Sequence, residues 1–130
     1  MISRRSILIA AATALALLST GAANAFEFKA YDQAVVNKAI TTGKPVVVHV
    51  FAPWCLQCRA QEAILNRLST DKAYDGASYF RVDYDNQKDV VAALGVPRST
   101  LITYKGGAEV ERKSWGTSQQ WVVDVLASVN

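Results

Sequence analysis

The chain has 130 residues, enough for one domain. Its formal net charge of +3 comes without a basic stripe, which argues against a nucleic-acid partner. Two cysteines and one histidine are too few for a four-ligand zinc site or a secreted disulfide framework, and the chain shows no internal repeat or low-complexity segment.

The first 25 residues read as a signal peptide. Met1-Ile2-Ser3-Arg4-Arg5 is a basic start, and Ile7 to Leu18 is an apolar run shorter than a membrane span. Ala23-Asn24-Ala25 is an A-x-A cleavage site that would leave Phe26 as the new N-terminus. The alternative is an uncleaved membrane anchor, which the well-placed small residues argue against. Arg4-Arg5 also fits, weakly, a twin-arginine export signal. Cleavage takes away two arginines and no acid, so the remaining domain, 26–130, carries a net charge of +1. The location expected is the periplasm or the cell exterior, with no membrane span left after cleavage.

Phe26 to Ala30 reads as a short edge strand. Asp32 is a fitting N-cap for a helix whose face is expected to hold Ala34, Val35, Ala39 and Ile40, ended by Thr41-Thr42-Gly43. Val46 to Phe51 is an apolar, largely β-branched run suited to a strand covered on both faces. Alternation puts His49 with Val47 and Phe51, opposite Val46, Val48 and Val50. Pro53 ends the strand region. The period then changes: Ala60, Ile64 and Leu68 lie four apart, with Ala63 and Arg67 also at helical spacing.

Cys55 and Cys58 therefore open a helix. Unpartnered N–H groups and the positive end of the dipole favour a thiolate there, so Cys55 is expected to be the more acidic thiol and the nucleophile. Cys58 sits one turn in and can attack a mixed disulfide. A bridge across so small a loop would restrict the unfolded chain little, which disfavours a purely structural role.

A polar connection follows, with Asp75-Gly76 as a turn signal. Ala77 to Asp83 reads as a buried strand, Asn86 to Leu94 as a short helix ended by Gly95, and Ser99 to Tyr104 as a strand. Lys105-Gly106-Gly107 reads as a hairpin turn into Ala108 to Lys113, and Ser118 caps a last helix, Gln119 to Val129. The order is (β)αβαβαββα. Strands separated by helices are expected to pair parallel, with one antiparallel hairpin.

Trp54-Cys55-Leu56-Gln57-Cys58, after an apolar strand and an Ala-Pro turn, resembles the active-site segment of the thioredoxin family. The order of elements from about Tyr31 to Val129 resembles that family too. The resemblance implies an α/β thioredoxin fold, a central mixed β-sheet flanked by helices, as a single domain after the signal peptide. It implies a protein-disulfide oxidoreductase with Cys55 as nucleophile and Cys58 as resolving thiol, working without a cofactor or metal. Trp54 would shield the pair and offer a flat surface to substrate. The partners implied are substrate proteins with disulfides or dithiols, and a membrane or periplasmic thiol donor.

Two positions depart from the family pattern. His49 stands where thioredoxins commonly carry a buried Asp beneath the second cysteine; carried over, it would exchange the Cys58 proton. Ser99 stands where relatives present a cis-proline, usually followed by threonine, as Thr100 follows here. Ser99 and Thr100 are therefore expected to receive the substrate backbone, with the Arg98–Ser99 bond trans because a non-proline cis bond costs about 3 kcal/mol. Arg59 is expected to point to solvent and to act weakly, Asp83 and Asp85 with Arg81 to form a solvated rim, and Trp115 to pack. The working reading is a reductase. The alternatives are a periplasmic oxidase or isomerase, and a copper-binding module using Cys55, Cys58 and His49.

Overall fold

Residues 24–130 are described by the structure, a computed structural model. Nearly all of the expected signal segment, residues 1–23, lies outside the described residues. Five strands and four α-helices follow: β1 (Phe28–Ala30), α1 (Gln33–Thr41), β2 (Val46–Phe51), α2 (Leu56–Leu68), β3 (Ser78–Asp83), α3 (Lys88–Leu94), β4 (Thr100–Lys105), β5 (Ala108–Ser114) and α4 (Gln119–Ala127). A single 3-10 turn, Lys72–Tyr74, sits in the polar connection after α2.

The sheet order is β1-β3-β2-β4-β5, which makes β2 the central strand. Its alternation sorts two cores. Val46, Val48 and Val50 face Val36 of α1, with Val90, Val91 and Leu94 of α3 packed alongside. Val47 faces Ile64, Leu65 and Leu68 of α2 and Val122, Val125 and Leu126 of α4. Burying both faces is what the unbroken apolar run requires.

One pairing differs from expectation. β1 and β2 run parallel to β3, but β4 runs antiparallel to β2 as well as to β5. β3 ends and β4 begins at the same edge of the sheet, since Asp83 lies opposite Phe51 and Thr100 opposite Val50. A parallel crossover would have to return across the full strand height, ~20 Å for six residues. The seven residues of α3 rise only ~10 Å. α3 also starts at Lys88 rather than Asn86, because the Asp83 carboxylate accepts the backbone N–H groups of Asp85 and Asn86 and holds them in a turn.

Two helix faces match expectation in part: Ala39 and Ile40 of α1 pack on the core, and Ile64 and Leu68 of α2 are buried. On α1 the buried residue is Val36, while Val35 is exposed. On α2 the buried set is Cys58, Gln61, Ile64, Leu65 and Leu68, and Ala63 is exposed. Gln61 escapes an apolar count because it is polar, yet it occupies a core position.

Candidate active site

β2 delivers the chain to the edge of the sheet and the turn Ala52-Pro53-Trp54 redirects it. The Cys55 N–H donates to the Ala52 carbonyl at 3.1 Å, which closes that turn. Cys55 is the N-cap of α2, with extended backbone, and its sulfur accepts the Cys58 N–H at 3.2 Å. The reacting sulfur thus occupies the place that a serine or aspartate oxygen takes at an ordinary helix start. Both thiols are free, and Cys58 is fully buried with its S–H directed to the Val50 carbonyl at 3.8 Å.

The two thiols differ in acidity. Burial opposes ionisation of Cys55, but the Cys58 thiol and backbone N–H, with Arg98 and Ser99 close by, outweigh it and hold Cys55 below the ordinary thiol range. Burial pushes Cys58 up, and a neighbouring Cys55 thiolate pushes it further. That asymmetry is what a nucleophile and a resolving thiol require.

Ser99 faces the pair from the loop before β4. It is buried, has φ +64°, and its N–H donates to the Val50 carbonyl at 2.9 Å. No cis peptide occurs among the described residues, so the Arg98–Ser99 bond is trans. The Ser99 hydroxyl has no oxygen or nitrogen partner and lies close enough to both sulfurs to favour their ionised forms. Thr100 does not present its side chain to a partner. It is fully buried, and its hydroxyl bonds the Pro97 carbonyl and the Ser114 hydroxyl, both at 2.8 Å.

His49 is fully buried beside Phe28 and Phe51. Its Nε2 lies 2.9 Å from Gln61 Oε1, while Gln61 Nε2 donates to the carbonyls of Ser99 (3.0 Å) and Gly116 (2.9 Å). Those two carbonyls fix the amide orientation, so Gln61 Oε1 must accept and His49 carries its proton on Nε2. Burial lowers the His49 pKa to about 4, against the favourable Gln61 bond and with help from Arg81. The ring is neutral. Its hydrogen-bond partner is Gln61 rather than a sulfur, so the expected proton exchange with Cys58 has no hydrogen bond to carry it.

Trp54 is half exposed. Its indole N–H donates to both carboxylate oxygens of Asp85, at 3.1 and 2.9 Å, and its ring meets Tyr84 edge-on. Asp85 is therefore more than a solvated rim residue; it orients the aromatic beside the nucleophile. The Arg98 guanidinium lies 4.8 Å from the Trp54 ring centroid and 5.0 Å from that of Trp115.

A family model for thioredoxin matches residues 24–128. The chain belongs to the thioredoxin family. It is 29% identical over 102 residues to a thioredoxin of Aspergillus fumigatus, covering 78% of this chain and 93% of that one. It is 36% identical over 78 residues to thioredoxin-2 of Saccharomyces cerevisiae, covering 58% and 73%. Among solved structures it resembles Trxlp from Edwardsiella tarda, with 36% identity, a TM-score of 0.73 and coverage of 77% of this chain and 98% of that one. Thioredoxin-type thiol–disulfide exchange is accordingly the chemistry of the Cys55–Cys58 pair.

In this thioredoxin-family site, Cys55, Cys58, Trp54 and Ser99 converge. Sequence reasoning missed Arg98 and Gln61, which meet the site across long sequence separations and carry no local motif. Among the described residues no cluster of three or more His, Cys, Asp or Glu side chains forms, so His49 does not join the two cysteines as a third metal ligand.

Proposed function

We propose that this chain is an exported thioredoxin-like reductase of protein disulfides. The observation that carries the reading is the Cys55 sulfur accepting the Cys58 N–H at the start of α2, which favours the thiolate of Cys55. Cys55 attacks one sulfur of a substrate disulfide. The Cys55–sulfur bond forms, the substrate bond breaks, and the Cys58 proton ends on the sulfur released. Cys58 then attacks Cys55, which closes the enzyme disulfide, frees the second substrate sulfur and leaves the substrate reduced by two electrons. A thiol donor outside the cytoplasm would recharge the pair.

Export is supported by the basic start, the apolar run and the Ala23-Asn24-Ala25 site. Phe26, the first residue after that site, is buried and stacks on Tyr79 with centroids 3.8 Å apart, so core packing starts where cleavage would end. Intact-mass measurement of the protein from its native cells tests this: a chain starting at Phe26 is expected, and one retaining Met1 or its neighbours contradicts it.

One observation favours the oxidase reading. Arg98 and the Cys58 groups stabilise the Cys55 thiolate, and stabilising the reduced form makes a disulfide more oxidising. Equilibration against glutathione or dithiothreitol decides the direction. A potential near the thioredoxin value of about −270 mV supports the reductase, and one near about −120 mV supports the oxidase.

A further inference from the structure

Arg98 differs from the ion-paired cations of the domain. Arg81 has Glu62 at 3.4 Å, Arg112 has Glu109, and Lys113 has Glu111 at 3.0 Å. Among the described residues, no carboxylate lies within ion-pair distance of Arg98, and its buried Nε has no acceptor. Yet its guanidinium lies over two indoles, 4.8 Å from the centroid of Trp54 and 5.0 Å from that of Trp115. Both tryptophans are anchored. The Trp54 indole is tied to Asp85 through its ring N–H, and the Trp115 backbone is held by its main-chain N–H donating to the Ser99 carbonyl at 2.9 Å. Trp54 and Trp115 are 55% and 43% exposed, so this clamp stands at the surface next to the reacting sulfur.

A guanidinium set over ring faces can still offer the N–H groups of its planar edge to a ligand. That planar edge matches a carboxylate, which it can bind through two hydrogen bonds. Apart from the Cys55 sulfur close by, no side chain of the protein answers its charge among the described residues. We propose that Arg98 is a specificity-determining residue that binds a carboxylate beside the substrate's disulfide, so that this thioredoxin prefers cysteines flanked by Asp or Glu. The inference rests on the disulfide-exchange reading and names a substrate class for it. Trp54 and Trp115 are the positioning residues that hold the guanidinium at that spot. Asp85 lies along the indole N–H edge of Trp54 and disfavours an acidic group there, which gives the bound segment a polarity.

Three disulfide peptides of equal length, with Glu, Gln or Lys next to the cysteine, test this directly. The readout is kcat/KM for the reduced enzyme, at low and high salt. The wild-type protein should prefer Glu over Lys by at least about fivefold, and salt should shrink the preference. Arg98→Gln should slow all three peptides together, because Cys55 loses a neighbouring cation, and should bring the Glu-to-Lys ratio close to one. Arg98→Lys, which keeps the charge but not the planar edge, should lower the Glu-to-Lys ratio part of the way toward one. A wild-type protein indifferent to the flanking charge overturns the proposal even if neither variant folds. So does an Arg98→Gln variant with the original ratio. Failure of the wild-type protein to turn over the neutral Gln peptide would instead strike at the oxidoreductase reading.

Discussion

Cys55 has two tasks, since the sulfur that reacts also caps the helix behind it. Its identity was legible because strand, turn, cysteine pair and helix all lie within a short stretch of chain. Ser99 was legible as a position but not as a conformation. Its φ of +64° and its N–H bond to Val50 are set by the loop's tertiary surroundings. These two features forbid what the family pattern would place there. A proline fixes φ near −65° and has no N–H to give Val50. Ser99→Pro should therefore destabilise the domain by about 3 kcal/mol or more, read from urea unfolding. An unchanged midpoint would mean that the loop adopts a second conformation at little cost.

At the level of elements, α2 is joined to the site loops by one buried side chain. Gln61 bonds His49 on β2, the Ser99 carbonyl before β4 and the Gly116 carbonyl after β5. Replacing it with leucine keeps the volume but orphans the His49 N–H and the Gly116 carbonyl. A loss of ~2–3 kcal/mol is expected in denaturant titration, and a loss under about 0.5 kcal/mol would show the network to be dispensable. Gly116 has its own constraint: an added Cβ would lie 2.0 Å from the Trp121 ring. Gly116→Ala should cost ~1–3 kcal/mol as α4 is pushed off the sheet, a shift visible in Trp121 fluorescence. The elements were largely readable from periodicity, since β2 and α4 fall close to their expected bounds. The direction of β4 was not, because it depends on how far α3 travels, and the buried glutamine was hidden by its own polarity.

For the whole molecule, His49 is the only histidine, and it sits neutral in the core. Its pKa is about 4 when folded and 6.5 ordinarily. Between those values the unfolded chain takes up a proton that the folded chain refuses. The contribution is therefore fully present above pH 6.5 and is lost as pH falls toward 4, by ~3 kcal/mol at 1.36 kcal/mol per unit. Unfolding free energies measured across that window should show the decline, and His49→Gln should flatten it. A wild-type curve level from pH 6.5 to 4.5 would place the imidazole in contact with water. Among the described residues no helix is long and apolar enough to cross a membrane. Two cores, one on each face of β2, hold the cysteine turn at the sheet edge where substrate can reach it.

This fold makes one sulfur of the pair a stabilised thiolate and keeps the other protonated. The most direct measurement is the pH dependence of alkylation of the reduced protein, with mass mapping of the modified cysteine. A single fast adduct on Cys55 is expected, with a midpoint below the ordinary thiol range, and slow reaction at Cys58. Equal rates at the two cysteines, or a Cys55 midpoint at or above the ordinary value, would contradict it.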